Sequence, residues 1–96
     1  MRRVDEIYEA VINAVLEEVE LPDDWMKVRT EDCVDARHML VYHLSRKGLT
    51  RNQIEAKTGF SKTSVRQYLN SYSERVKYHR MMAYWSARIG RKIGDM

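Results

Sequence analysis

Apolar residues recur along this chain at the three- and four-residue spacings that gather them on one side of a helix. Val4, Ile7, Tyr8, Val11, Ile12, Val15, Leu16 and Val19 form such a stripe, with Asp5, Glu6, Glu9, Asn13, Glu17, Glu18 and Glu20 between them. The spacing predicts an amphipathic helix over 4–19 with a solvated acidic face. Pro22 then interrupts the pattern and suits the first position of a short helical turn, from which Trp25 and Met26 tuck under the core. Thr30 is placed to cap a second helix over about 31–46, with Glu31 and Asp32 in its favourable first turn. Cys33, Ala36, Leu40, Val41 and Leu44 make its apolar stripe, and Gly48 lies beyond its end.

Two closely spaced helices are expected next. Thr50-Arg51-Asn52-Gln53 has the form of a capping box, in which the Thr hydroxyl accepts from an amide three residues on and the Gln reaches back. Gly59 sits where a left-handed residue would end this helix, and Ser61 can cap the next one, which runs through Lys62-Thr63-Ser64-Val65-Arg66-Gln67-Tyr68-Leu69. Leu49, Ile54, Ala56, Val65 and Leu69 occupy the buried phases of the pair. Val65, Leu69, Tyr72 and Val76 define one face, whereas Tyr78, Met82, Trp85, Ile89 and Ile93 define another, about 220° away. Either the helix bends near Ser71–Ser73 or it carries two apolar faces, and a separate or bent final helix is expected over about 74–92. No alternating strand pattern, repeat or low-complexity stretch is present. The expected fold is all-α: a single small domain over 1–96, with about five helices and a helix-turn-helix at about 50–70.

Composition bounds what such a domain can do. Ninety-six residues leave room for one core and none for a multidomain enzyme. A single cysteine, Cys33, cannot close an intramolecular disulfide, and no apolar run reaches the ~20 residues that span a bilayer. A cytoplasmic location fits both. The charge is divided: residues 1–35 carry four Lys or Arg against eleven Asp or Glu, a net −7, and residues 36–96 carry thirteen against three, a net +10. A basic half of that density attracts polyanions, nucleic acid foremost.

The helix-turn-helix supplies a mechanism for such an interaction, because its second helix offers N-terminal side chains to base edges in the major groove. Lys62, Thr63, Ser64, Arg66 and Gln67 occupy the exposed phases and have the chemistry for it: Arg and Lys pair with guanine, Gln with adenine, Ser and Thr with base or phosphate. Arg51, Asn52 and Ser61 stand at helix N-termini, where backbone amides favour phosphate. Catalytic readings find little support. Cys33, His38 and His43 are five residues apart in succession, about 140° around a helix, and do not converge on a metal. The basic half offers only the scattered acids Glu55, Glu74 and Asp95, and Tyr68, Tyr72, Tyr78 and Tyr84 have no accompanying constellation. No enzyme activity, cofactor or metal is expected.

The same residues resemble a known family, the C-terminal DNA-binding domain of the bacterial chromosomal replication initiator DnaA. Asp35-Ala36-Arg37-His38-Met39-Leu40-Val41-Tyr42-His43-Leu44 is similar to that family's Glu-Ala-Arg-Gln-Ile-Ala-Met-Tyr-Leu helix. The spacing agrees through Gly48-Leu49-Thr50, Gln53-Ile54 and Gly59 to Thr63-Ser64-Val65, which falls on the family's Asp-His-Thr-Thr-Val signature, and the likeness covers about residues 4–72. It implies binding to double-stranded DNA, with the second helix of the pair in the major groove and a basic loop in the minor groove. By position it assigns Lys62, Thr63 and Ser64 to bases or adjacent phosphates, and Lys27, Arg29 and Arg37 to the loop and backbone contacts. The family's Asp-His pair is Ser61-Lys62 here, and its basic loop is reduced to Arg29-Thr30-Glu31, so the initiator's own DNA box is not carried over. The initiator's ATPase domain has no counterpart, which suits a phage or mobile-element regulator of replication or transcription, or an accessory replication factor. A second function class rests on Tyr78, Met82, Trp85 and Ile89. That stripe either packs on the chain's own core or, over residues 74–93, forms a seam for a second copy or a protein partner.

Overall fold

Every residue from Asp35 to Val41 is buried, nearly two full turns of helix with no solvated side. The helix that carries them is the centre of the molecule. In the computed structural model, which describes residues 3–94, it is α2 (Glu31–Arg46), and α1 (Val4–Glu18), α3 (Arg51–Thr58), α4 (Lys62–Tyr78) and α5 (Arg80–Lys92) all pack against it. Arg2 and Asp95, counted in the charge division, lie outside the described residues. The described residues are all-helical, with five helices and no strand.

The sequence expectation of one apolar stripe on α2 is therefore too narrow. Asp35, Arg37, His38 and His43 are buried beside Cys33, Ala36, Met39, Leu40, Val41 and Leu44. Each of the four is hydrogen-bonded, as burial of a polar group requires. His38 Nδ1 donates to the Val34 carbonyl at 2.8 Å, and His43 Nε2 lies 2.8 Å from Ser86 Oγ, which is also hydrogen-bonded to the Tyr72 hydroxyl. Burial, helped by the nearby positive charges of Arg46 and Lys47, pushes the His43 imidazole down to about 4. Asp35 accepts from Arg75.

Local signals set most helix ends. Thr50 and Gln53 form the full capping box, Ser61 Oγ accepts from the Ser64 amide, and Gly59 ends α3 in the left-handed region at φ +78°. Thr30 occupies the N-cap position of α2 without a side-chain cap bond. The 22–27 segment is a turn held by Trp25 N to Pro22 O and Lys27 N to Asp24 O, and it buries Trp25 as expected.

The break after the helix pair falls later than Ser71–Ser73. Val65, Leu69, Tyr72 and Val76 remain on one apolar face and keep α4 helical to Tyr78, and Tyr72 stacks on Tyr42 with ring centroids 3.6 Å apart. The chain turns at His79, whose backbone is extended (φ −117°, ψ 97°), so α5 begins at Arg80. From there Met82, Ile89 and Ile93 enter the common core.

Candidate nucleic-acid interface

Three features hold the α3–α4 pair in place. Its turn is short: Phe60 N donates to Thr58 Oγ1, and the Thr58 hydroxyl donates to the Ile54 carbonyl. Ile54 and Val65 are fully buried beneath it, and Leu69 is half-buried. Tyr68 then fastens α4 to α2, edge-on to His38 at 4.7 Å and to Phe60 at 5.4 Å, with its hydroxyl accepting from Arg37 Nε at 3.0 Å. Ala56, expected in the core, is exposed, because it lies two residues, about 200°, from the buried Ile54 and so faces away from the core.

What this leaves outward is the first turn and a half of α4. Lys62, Thr63, Arg66 and Gln67 are exposed, and at 100° per residue they span about 140° of the helix circumference. Asn70 lies inside that arc and is exposed too. It escaped the sequence reading, although its spacing of four from Arg66 marks it. Ser61 and Ser64 belong to the cap itself: the Ser61 hydroxyl donates to Ser64 Oγ at 3.0 Å, so these two present a shared hydroxyl pair at the helix N-terminus. Arg51 and Asn52 are exposed at the N-terminus of α3.

The loop before α2 reaches the same region through a cleft of about 450 Å³, whose lining includes Arg29, Gln67, Tyr68, Ser71 and Arg75. Arg29 of the loop and Gln67 of α4 are thereby brought to one cleft, and Ser71 is a further polar group that the sequence reading left out. Lys27 is exposed on the loop but does not line this cleft. Arg37, assigned with Lys27 and Arg29 to loop and backbone contacts, also lines this cleft but from a buried position. It is 6% exposed, with Nη1 donating to the carbonyls of Trp25 at 2.7 Å and Val28 at 2.6 Å. Its Nε and Nη1 donors are taken up by Tyr68 and two loop carbonyls, so its main effect is to shape the loop that carries Lys27 and Arg29.

Part of the charge division is satisfied inside the fold. Arg88 Nε contacts Glu18 at 2.6 Å, Lys92 Nζ contacts Glu17 at 2.9 Å and Glu18 at 3.2 Å, and Lys57 pairs with Asp5. Partial desolvation opposes ionisation of Glu18, but its bonds to Arg88 and Lys92 hold the carboxyl below its ordinary range. The acidic helix α1 thus faces α5 and the end of α3. Lys27, Arg29, Arg51, Lys62 and Arg66 take part in none of these pairs.

The C-terminal stripe divides as well. Met82 and Ile89 are completely buried and Trp85 is half-buried against the core, so they do not form an outward seam. Of the four residues expected there, Tyr78 alone is well exposed, at 70%, with Met81 and Tyr84 beside it in sequence, each at 55%. The reason is the turn at His79, which rolls α5 so that its apolar face meets α1, α2 and α4. No protein-family model, curated protein or solved structure matches this chain.

Proposed function

We propose that this chain binds double-stranded DNA, with the N-terminal part of α4 in the major groove and the Lys27–Arg29 loop against the backbone. The observation that carries this reading is the exposure of Lys62, Thr63, Arg66 and Gln67 at the capped end of α4, uncovered by the acidic α1 or by α5. The helix N-terminus adds its own preference for phosphate, and Ser61, Ser64, Arg51 and Asn52 stand where backbone contacts would fix the register. In this reading α3 and α4 act as a helix-turn-helix of the kind the DnaA resemblance implies, in a small cytoplasmic regulator or accessory replication factor.

Selection from a random duplex pool tests it, because it asks for a site without assuming one. A bound consensus is the expected outcome, and Arg66→Ala should cost about 1 to 3 kcal/mol on it while relaxing preference at one base. A loss of equal size on every sequence would make Arg66 a phosphate contact. Recovery of no duplex at low salt would contradict DNA binding altogether.

A further inference from the structure

We propose that Glu31, Asp35 and His79 form a binding site for a divalent transition-metal ion of the zinc type. Glu31 and Asp35 are four residues apart in the first turns of α2 and so share a face, and His79 comes to them from 44 residues further along the chain. The extended backbone at His79, between α4 and α5, is what brings the ring there. Its Nδ1 lies 2.8 Å from Glu31 Oε1 and 3.4 Å from Asp35 Oδ2, and one donor atom from each of the three residues falls within 4.8 Å of the others. A tetrahedral zinc ion with bonds of about 2.0–2.1 Å holds its donors about 3.3 Å apart. The three donors are already gathered at close to that scale.

Support for the set extends beyond the three residues. Asp35 is buried, and its second oxygen, Oδ1, accepts from Arg75 Nε at 2.5 Å, which leaves Oδ2 directed to the cluster. Partners of this kind orient ligating carboxylates in metal sites. A cleft of about 400 Å³ opens beside the cluster, lined also by Asp32, Tyr78, Arg80 and Met81, so a fourth position would be open to water. One imidazole nitrogen with two carboxylate oxygens, and no thiolate, suits Zn²⁺, Co²⁺, Ni²⁺ or Mn²⁺ better than Ca²⁺ or Mg²⁺, which favour all-oxygen shells. The bound ion would clamp the start of α2 to the α4–α5 turn. The proposal does not rest on the DNA reading: the 17 residues of α4 separate the site from Lys62 by about 25 Å, although Arg75, which bonds Asp35, also lines the cleft that holds Arg29.

Chelator-stripped protein titrated with Co²⁺, followed by visible absorption, and with Zn²⁺ in competition with a chromophoric chelator, tests the site. One ion per chain, with a rise in melting temperature, is the expected result. Glu31→Gln and His79→Gln should each weaken binding by at least about tenfold, since loss of even an outer-shell partner costs about ten- to a hundredfold. The Glu31 side chain is 67% exposed, so its variant keeps the fold, which far-UV circular dichroism verifies. Absence of binding at sub-millimolar metal, or binding of equal strength in wild type and folded Glu31→Gln, would overturn the proposal and leave the cluster an ion pair only.

Discussion

Acidification should destabilise this protein through the buried imidazole of His43. The ring is 7% exposed and its folded-state value is about 4, against about 6.5 when unfolded. Between those values the unfolded chain holds a proton that the native chain does not, so stability is complete above about pH 6.5 and falls as pH drops toward 4. Integrating from pH ~7.5 to ~5 gives a loss of about 2 kcal/mol from this residue alone. Urea unfolding followed by circular dichroism at a series of pH values measures it. His38, whose imidazole burial also pushes down, adds to the same slope, so the informative quantity is the difference between wild type and His43→Gln. The variant keeps a donor for Ser86 and cannot be protonated, and its profile should be flatter by that amount. Glu18 does not interfere, since a carboxylate held below its ordinary range loses its stabilisation only at still lower pH. Parallel profiles for the two proteins, or a His43 ring that titrates near 6.5 by NMR, would refute the reasoning.

Two further substitutions probe the supports of the candidate interface. Arg37→Met removes donors to Trp25, Val28 and Tyr68 while keeping an apolar stem, and should cost about 2 to 4 kcal/mol in urea unfolding, with faster amide exchange over residues 25–29. Unchanged exchange there would show that the loop stands without it. Gly59→Ala meets no atom within 4 Å but must hold φ +78°, so a loss of about 1 kcal/mol is expected from backbone strain alone.

The fold was legible where local chemistry decides it. Thr50 with Gln53, Gly59 and Ser61 marked the ends of α3 and α4 because caps depend on neighbours within four residues. The end of α4 was not, because the apolar change of phase after Val76 fits either a turn or a helix with two apolar faces, and does not place the turn. The turn sits at His79, whose ring contacts Glu31 and Asp35 on α2. Arg37 shows the same limit at the candidate site: the resemblance assigned it by position to loop and backbone contacts, and only tertiary structure supplies the carbonyls of Trp25 and Val28 that it bonds. The exposed arc of α4 followed from helical phase, and Asn70 was readable by the same arithmetic. Glu31, Asp35 and His79 were not readable as a cluster, since the third member lies across the chain and only the i, i+4 spacing of the first two was visible.

The salt dependence of duplex binding bears most directly on the claim that α4 and its flanking basic residues engage DNA. Fluorescence anisotropy with the selected duplex between about 50 and 200 mM salt should give a log–log slope of roughly −4.5, as about five phosphates neutralised by Lys27, Arg29, Arg51, Lys62 and Arg66 require, and Lys62→Gln should make it shallower by about one. A slope near zero, with Lys62→Gln indistinguishable from wild type, would contradict the account.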